Sequence, residues 1–519
     1  MPTPLAEAVR AAYRAGQEDE TLEPLVLCDP AGRPLGRIAA GDYVIFYDIR
    51  GEREIELTRA FTDPDFSHFA RRPLLVHFTT MIQYHPDLPV AVAFPPLDRI
   101  GDTLADVMAA AGRRQVKISE SEKSIHVSFF FNGKKSELLA GEERIVIPSP
   151  RVADYAQTPA MNAAGVTAAI ERALADAGAD LIVANYANVD VVGHIENAAA
   201  IRQAIETVDA EAGRAIAAAQ AAGVTVIVTA DHGTVERWTY PDGSVDTGHT
   251  DSPVPFVLIA PDWPDATLRP AGELSDVAPT VLHLLGLPQP AAMTGQSLLV
   301  GQPPAGRRRV LLLILDGWGS RDAEQGNLIA QANTPTMRRL LAGYPSARLE
   351  AAGLAVGMPA GTVGNSEVGH LHLGAGRRIY SDRARIDRAI EDGSFYTNPA
   401  FVAAMDGARR DGRPLHLLGI VSFYSSHGSV EHLKALLRMA KARGVTELYI
   451  HGMLGRRGER PESGALYIEE IERETERLGV GRVVSVIGRY WSLDREENWD
   501  RIEKTYRWLV EGAGAHVRG

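Results

Sequence analysis

The sequence has little cysteine, no long hydrophobic run and no excess of basic residues. Its 519 residues include one cysteine, Cys28, which excludes an intramolecular disulfide and a metal site built only from thiolates. The longest apolar runs, such as residues 310–315, have the length of a strand and are too short to cross a bilayer. The first residues lack the basic and apolar regions of a secretory signal. We therefore expect a cytoplasmic protein that does not contact a membrane.

The net charge of the chain indicates which kinds of binding partner are unfavourable. The formal net charge is -12, which argues against nucleic acid or an anionic membrane surface as the partner. The chain is 45% hydrophobic and 23% charged, a globular composition, and it is long enough to bury two substantial cores. A local cluster of arginines could still bind a small anion.

The order of predicted elements indicates an α/β fold. From about residue 100 to 380, predicted strands at 126–132, 180–184, 224–228 and 309–315 alternate with predicted helices at 104–112, 197–222 and 274–285. Such alternation favours a mostly parallel sheet with helices on both faces. Residues 301–308 have the composition of a linker. A second α/β segment follows from about residue 390, with strands at 415–420, 448–451 and 482–487 and helices at 432–444, 468–479 and 499–510.

Three of the predicted strands lead into an aspartate. Asp316 follows one strand, Asp231 and His232 follow another, and Asp190 follows a third with His194 four residues later. A single aspartate at a strand end is often only a helix cap. Because ligands of open parallel sheets gather at the carboxyl ends of the strands, the three acids are expected to converge on one crevice.

A glycine-rich loop supplies a candidate nucleophile. Ser366 lies in the segment G-T-V-G-N-S-E-V-G-H, whose glycines permit turns that other residues resist. A helix that starts near Glu367 would place backbone N–H groups around an anion on Ser366. Together with His249 and the strand-end residues, Ser366 completes a set of seven potential oxygen and nitrogen ligands.

Seven such ligands suit two divalent metal ions, the arrangement that holds the attacking and leaving oxygens of a phosphoryl group. Carboxylate and imidazole ligands without thiolate favour Mn²⁺, with Zn²⁺ or Mg²⁺ as alternatives. Metal coordination would also lower the pKa of the Ser366 hydroxyl, so that no histidine base beside it is required.

Several segments resemble the signatures of a known family, the cofactor-independent phosphoglycerate mutases of the alkaline phosphatase superfamily. The matching segments are G-N-S-E-V-G-H at Ser366, L-D-G-W-G at Asp316, T-A-D-H-G at Asp231, V-D-V-V-G-H at Asp190, S-E-S-E-K at Lys123, G-H-T-D-S-P-V-P at His249, S-D-V-A-P-T at Asp276 and G-R-Y-W-S-L-D-R at Arg489. The resemblance extends over nearly the whole chain.

The resemblance implies a fold, an activity and a set of residues. It implies an alkaline-phosphatase-like parallel-sheet domain, a smaller α/β transferase domain, and interconversion of 3- and 2-phosphoglycerate through a phosphoserine at Ser366. One metal would be held by Asp190, His194 and His249, and the other by Asp231, His232, Asp316 and Ser366. A small phosphorylated substrate would be bound by Arg50, Arg53, Lys123, His427, Arg457, Arg489 and Arg495, with Lys123, His427 and Arg457 also catalytic. We expect a monomer.

The order of these segments differs from that of the family, in which the L-D-G-W-G strand lies near the N-terminus and T-A-D-H-G near the C-terminus. Here Asp316 follows Asp231. The chain therefore resembles a circular permutant whose family termini are joined through residues 301–308. This implies a continuous phosphatase domain at 97–380 and a transferase domain split between 1–96 and 381–519, with both chain ends in one domain.

The transferase segments also depart from the family pattern. The family's D-G-R-D becomes G-R-R-G, so Gly458 replaces an aspartate, and the family's S-D-G-G-V-H-S-H becomes the segment Ser422–Ser429. Asp48 and Glu52 are further changes, in the run D-I-R-G-E-R. Alternatives are therefore a phosphotransferase, mutase or phosphohydrolase for another small phosphorylated or phosphonylated acid. An inactive binding protein is a third alternative, which the complete ligand set opposes.

Overall fold

The computed structural model describes residues 3–97, 99–152, 154–240, 242–423, 427–455 and 462–518. The chain forms two compact units. The first comprises Met1–Pro96 and Asp382–Gly519, and the second comprises Leu97–Ser381. Each unit has its own buried apolar core. None of the helices within the described ranges is both long enough and apolar enough to span a membrane.

The strands, numbered along the chain, alternate with helices in both units. The strands are β1 (Leu25–Cys28), β2 (Tyr43–Phe46), β3 (His77–Ile82), β4 (Ala91–Phe94), β5 (Gln115–Glu120), β6 (Glu142–Ile147), β7 (Leu181–Tyr186), β8 (Thr225–Thr229), β9 (Val254–Ile259), β10 (Thr267–Leu268), β11 (Ala271–Glu273), β12 (Leu299–Val300), β13 (Val310–Leu315), β14 (Ser346–Glu350), β15 (Leu415–Ile420), β16 (Leu448–Leu454), β17 (Arg482–Gly488) and β18 (Ala515–Arg518).

The helices are numbered in the same way. They are α1 (Pro4–Arg14), α2 (Gly51–Thr62), α3 (Leu104–Ala110), α4 (Ala163–Ala175), α5 (Asn188–Gly193), α6 (Ala198–Ala221), α7 (Val277–Leu285), α8 (Leu328–Gln331), α9 (Pro335–Gly343), α10 (Ser366–Ala375), α11 (Asp382–Asp392), α12 (Pro399–Asp411), α13 (Val430–Ala442), α14 (Gly464–Leu478), α15 (Arg489–Ser492) and α16 (Trp499–Val510).

The sheet of the second unit is built around β13. The strand order is β11-β14-β9-β8-β13-β7-β5-β6. The run from β8 to β6 is parallel, and β9 is antiparallel to both β8 and β14. Every residue of β13 is buried, as expected for a parallel strand covered on both faces. The carboxyl ends of β8, β13, β7 and β5 therefore lie side by side at one edge.

The sheet of the first unit has the order β18-β1-β17-β16-β15-β2-β3-β4. Its strands from β17 to β4 run parallel, and β1 is antiparallel to β17. The first and last strands of the chain pair in parallel, with Leu25 opposite Ala515. The prediction of an α/β protein with a mostly parallel sheet and a second α/β domain is confirmed, and the sheet of that second domain is largely parallel as well.

One predicted strand is wrong. Residues 126–132 were expected to be extended, but His126–Phe130 form a π-helix, in which the Phe131 N–H donates to the His126 carbonyl at 3.0 Å. The His126 ring stacks on Phe130, four residues later. A short apolar run fits a strand and a buried helical turn equally well, so its periodicity does not distinguish them.

A row of hydrogen-bonded polar side chains, called here the polar chain, crosses the core of the first unit on three adjacent strands. Nδ1 of His416 lies 3.0 Å from Nε2 of His451, and Nδ1 of His451 lies 2.8 Å from the Ser485 hydroxyl. Nε2 of His416 lies 3.2 Å from Asp42. All four residues are buried, so these contacts satisfy polar groups that would otherwise lose water without replacement.

This polar chain makes the first unit sensitive to acid. Burial lowers the pKa of His416 and of His451, so unfolding binds protons that the native state excludes. The free energy of unfolding is therefore expected to fall as pH drops below about 6.5, by up to roughly 1.4 kcal/mol per pH unit for each histidine. His451→Asn should be less stable at pH 7.5 but should lose less stability between pH 7.5 and 5.5. Urea unfolding followed by tryptophan fluorescence measures both values; equal pH slopes would contradict the assignment.

Candidate active site

Three aspartates meet at the carboxyl edge of the second unit's sheet. Asp316 directly follows β13, Asp231 lies two residues beyond β8, and Asp190 lies in α5, the helix that follows β7. Their exposed fractions are 0%, 0% and 6%. Buried carboxylates are costly unless a cation compensates them, so their convergence marks a cation-binding centre.

Ser366 is the first residue of α10, where it faces this centre. The Asn365 side chain caps the helix by accepting a hydrogen bond from the Val368 N–H at 3.0 Å. Gly369 allows the helix to approach closely, because a Cβ there would lie 2.5 Å from the Asp231 carbonyl. The serine hydroxyl therefore lies among N–H groups at a helix N-terminus, which favour an anion.

Lys123 joins the aspartates and the serine. It lies in the turn Ser121–Lys123 that follows β5, and its Nζ donates to Asp190 at 2.7 Å, Asp316 at 2.8 Å and Ser366 Oγ at 2.6 Å. Burial lowers the pKa of Lys123, but the charges of Asp316 and Asp190 outweigh it and the net pKa is raised. A permanent positive charge therefore faces the serine hydroxyl.

Asp190, His194 and His249 form one group of convergent ligands. His194 Nδ1 lies 2.7 Å from the Thr247 carbonyl, and His249 Nδ1 lies 2.9 Å from the Gly364 carbonyl. Because carbonyls only accept, both Nδ1 atoms carry the hydrogen and both Nε2 atoms present lone pairs. These two Nε2 atoms lie 3.2 Å apart, and each lies within 3.2 Å of Asp190 Oδ1. When both rings are neutral, these three acceptor atoms face one another, and a cation between them would relieve their repulsion.

Asp231, His232, Asp316 and Ser366 form a second group. His232 Nε2 lies 3.0 Å from Ser366 Oγ, 3.5 Å from Asp231 and 3.6 Å from Asp316. Asp231 Oδ2 is buried and has no hydrogen-bond partner among the described residues. The ring of His370 lies 3.2 Å from that oxygen, but its Nδ1 also lies 2.9 Å from the Ser366 carbonyl, which takes the hydrogen.

The two groups fit divalent metal ions. Their three carboxylates exceed the single charge of Lys123, and their imidazole nitrogens are set by backbone carbonyls to present lone pairs. Oxygen and imidazole ligands without thiolate match the preferences of Mn²⁺ and Zn²⁺. The structure brings together all seven predicted ligands, which are Asp190, His194, Asp231, His232, His249, Asp316 and Ser366.

Two residues of this centre were not among the predicted site residues. Asn185, on β7, donates to Asp316 Oδ2 at 2.7 Å and lies 3.0 Å from His370 Nε2. His370 lies in α10, one turn after Ser366. Its position four residues from the serine, within the same motif, was the available signal.

The predicted arginines gather separately, in the first unit. Arg50 directly precedes α2, Arg53 lies in its first turn, and Arg489 begins α15. Glu52 bridges Arg50 at 2.8 Å and Arg495 at 2.6 Å. Burial lowers the pKa of Arg53, and the charges of Arg495, Arg489 and Arg50 lower it further. We call these four arginines the arginine nest; their mutual repulsion would be relieved by an anion.

His427 lies beside this nest and is almost fully buried, with 2% of its side chain exposed. Its Nδ1 lies 2.9 Å from Glu54 Oε1. Burial, together with the charges of Arg489, Arg50 and Arg53, lowers the pKa of His427 to about 3. Lys123, in contrast, lies in the second unit with the predicted metal ligands, and Arg457 lies outside the described residues.

Comparison with known proteins finds two family models that match this chain. A family model of the metalloenzyme superfamily matches residues 51–289, and a model of the BPG-independent phosphoglycerate mutase N-terminus matches residues 2–86 and 386–518. The two together match well over half of the chain. Over these residues the chain is similar to the metalloenzyme superfamily and to the 2,3-bisphosphoglycerate-independent phosphoglycerate mutases.

Individual relatives align over part of their length. The mutase of Moorella thermoacetica is 45% identical over 57% of each chain, and that of Myxococcus xanthus is 48% identical over 40% of each chain. The chain thus spans about half the length of the curated relatives it matches. A crystal structure of Leishmania mexicana phosphoglycerate mutase is 32% identical and covers 52% of this chain and 53% of that one, with a TM-score of 0.38.

The geometry predicts which histidine controls metal content. His249→Ala removes one of the three acceptors of this group, leaving Asp190 Oδ1 and His194 Nε2, and should release one bound ion per chain. Elemental analysis after loading with Mn²⁺ and desalting measures the content. His283→Ala is the matched control, because that histidine contacts Ser297 and Gln302 instead, and it should keep the full complement. Equal metal content in both variants would contradict the assigned ligands.

Proposed function

We propose that this protein is a metal-dependent phosphomutase that interconverts 3-phosphoglycerate and 2-phosphoglycerate through a phosphoserine at Ser366. The observation that carries the proposal is the position of Ser366 Oγ, 2.6 Å from Lys123 Nζ, 3.0 Å from His232 Nε2 and 3.2 Å from Asp316. A serine with these partners at a helix N-terminus is suited to accept a phosphoryl group. The names of the similar mutases support the choice of substrate.

The roles of the residues in the second unit follow from their charges. Lys123 compensates the negative charge that develops on the transferred phosphoryl oxygens, and the N-terminus of α10 adds backbone donors. Asp190, His194 and His249 would hold one divalent ion, and Asp231, His232, Asp316 and Ser366 a second, with Mn²⁺ favoured over Zn²⁺ or Mg²⁺. Such ions, when bound, polarise phosphoryl oxygens and lower the pKa of a serine hydroxyl.

The first unit supplies the substrate-binding residues in this proposal. Arg50, Arg53, Arg489 and Arg495 carry fixed positive charge with a planar donor fork, which suits carboxylate and phosphate oxygens. His427 adds a ring nitrogen, and Arg457 adds a further cation. Phosphoryl transfer needs positioning and charge compensation more than covalent chemistry, and an arginine nest can supply both to a small anionic substrate.

We also propose that the chain is a circular permutant of its family. The motif order supports this, because the strand that leads to Asp316 follows the one that leads to Asp231. In this proposal, residues 97–380 form the phosphatase domain with the joined family termini near 301–308. Residues 1–96 and 381–519 form the transferase domain. We further propose a cytoplasmic monomer, in keeping with one buried cysteine and an acidic net charge.

A second candidate function rests on the altered transferase segments. Gly458 stands where the family motif has an aspartate, and the segment Ser422–Ser429 is rewritten. A mutase needs an acid–base group near the acceptor hydroxyl. These changes favour a phosphotransferase, mutase or phosphohydrolase that acts on another small phosphorylated or phosphonylated acid.

Phosphorus NMR of the Mn²⁺-loaded protein, quenched with EDTA before each spectrum, distinguishes these functions. With 3-phosphoglycerate, the protein should form 2-phosphoglycerate, and Ser366→Ala should lose at least roughly 10³-fold in rate because the covalent route is removed. Ser244→Ala, in an exposed turn of the same unit, should retain the rate.

The outcomes separate the alternatives. Isomerisation that persists in Ser366→Ala would refute the phosphoserine mechanism. Inorganic phosphate as the sole product would favour a phosphohydrolase, and no reaction in the presence of metal would favour a different acid as substrate.

A further inference from the structure

A buried glutamate lies between two segments that carry predicted metal ligands. Glu236 follows His232 by four residues and has no exposed surface. Its Oε2 accepts a hydrogen bond from the Thr234 N–H at 2.9 Å, and its Oε1 accepts one from the Thr250 hydroxyl. Thr250 directly follows His249. The carboxylate therefore joins two separate segments, each of which contains a histidine of the metal centre.

The backbones of these two segments pair beside the carboxylate. The Thr250 N–H donates to the Gly233 carbonyl at 3.1 Å, in an isolated antiparallel bridge. The Thr250 hydroxyl oxygen also accepts a hydrogen bond from the Ser252 N–H at 3.3 Å, which leaves its own hydrogen for the glutamate. The ring centres of His232 and His249 lie 4.0 Å apart. The bridge and the glutamate thus hold one histidine beside the other.

Two glycines make room for the glutamate. A Cβ on Gly319, three residues after Asp316, would lie 2.1 Å from the carboxyl carbon of Glu236, and a Cβ on Gly233 would lie 2.5 Å from its Oε1. A side chain at either position would displace the carboxylate. Arg321 also donates to the Glu236 carbonyl at 3.1 Å. The segment that follows Asp316 therefore packs against the same glutamate, so three ligand-bearing segments meet at one side chain.

His249 depends on this support more than His232 does. His249 lies in neither a helix nor a strand, and β9 starts only five residues later. Its backbone is anchored at the next residue, Thr250. His232 lies three residues beyond the end of β8, and its ring contacts Ser366. Loss of the contact between Glu236 and Thr250 should therefore loosen His249 first.

We propose that Glu236 is a positioning residue of the metal centre: through Thr250 it holds His249 beside His232, and so fixes one ligand group relative to the other. This inference rests on the metal centre of the proposed function, but not on its substrate. Because both oxygens of Glu236 face hydrogen-bond donors, the side chain acts through its neighbours. Residues that orient metal ligands in this way typically change metal affinity by roughly 10- to 100-fold.

The alternative is that Glu236 only stabilises the fold. Its contacts would then affect the free energy of unfolding but not the affinity for metal ions. Variants of Thr250 separate these possibilities better than variants of the glutamate. Thr250→Val keeps the shape of the side chain and removes only its hydroxyl, whereas Thr250→Ser keeps the hydroxyl.

Chelator competition tests the positioning role. The Zn²⁺-loaded protein is titrated with a chromophoric chelator, which gives the number of bound ions and the affinity of each. The parent should bind two ions. Thr250→Val should bind one of them roughly tenfold more weakly, and Thr250→Ser should stay within about twofold of the parent.

Thr280→Val is the matched control. Thr280 is a buried threonine of α7 in the same unit, and its hydroxyl donates to the Asp276 carbonyl at 2.6 Å. Its loss removes a buried hydrogen bond that does not involve the metal ligands. This variant should unfold at a lower urea concentration than the parent and should bind both ions normally.

The visible absorption spectrum of the Co²⁺-loaded protein reports the ligands directly. Thr250→Val should change this spectrum, because a displaced His249 alters the ligand geometry at one ion. Thr250→Ser and Thr280→Val should reproduce the spectrum of the parent. In a Glu236→Leu background, Thr250→Val should cause no further loss of affinity, since the two residues act as one unit. The Thr250 variants decide the question even where Glu236→Leu does not fold.

The outcomes distinguish this proposal from the proposed function. Equal affinities and equal Co²⁺ spectra in Thr250→Val and the parent would overturn the positioning role and leave the metal centre intact. An equal loss of affinity in Thr280→Val would also overturn it. A parent that binds fewer than two ions would refute the metal centre and the positioning role together. If metal binding and spectra are as expected but 3-phosphoglycerate is not converted, the substrate is refuted and the positioning role is supported.

Discussion

The convergence of acceptor atoms at the end of β13 is the constraint on which the second unit depends. Asp190, Asp231 and Asp316 are buried together, and among the described residues Lys123 is the lysine that pairs with two of them, Asp190 and Asp316. Because buried charges of one sign repel, this edge of the sheet is stable only with bound cations or protons. Gly369 allows α10 to pack closely against Asp231, and this packing holds the Ser366 hydroxyl beside the three buried aspartates. The same three carboxylates therefore affect both the stability of the second unit and the reactivity of the serine.

The ligands of this centre could be predicted from the sequence because each follows a strand of a parallel sheet. The rule that parallel strands end at one edge is enough to bring Asp316, Asp231 and Asp190 together. His370 was missed although it lies four residues after Ser366 in the same motif, and Asn185 was missed because its contact with Asp316 depends on how β7 lies beside β13. The π-helix at His126–Phe130 was missed for a related reason, since its apolar run carries no period that identifies it.

The first unit was less predictable. The arginines could be predicted from motif matches. The contact between Glu54 and His427 joins residues 373 positions apart, and neither local sequence predicts it. Asp48 was noticed only as a change from a family pattern. In the structure it is buried next to Glu54. The burial of Asp48 and Glu54 is visible only in the structure, because the residues around them in the sequence are typical of the start of any helix.

The pairing of β1 with β18 has a consequence for synthesis. Residues 97–381 form a continuous unit that can fold as soon as it leaves the ribosome, whereas the first unit lacks β15 to β18 until residues 415–518 have been made. The first 96 residues therefore cannot complete their sheet, and β2, β3 and α2 stay exposed, while the 285 residues of the second unit are added and folded. At translation rates of roughly 5–20 residues per second, that interval lasts on the order of tens of seconds. The strands β2 and β3 are therefore exposed to non-native pairing for longer than the strands of the second unit.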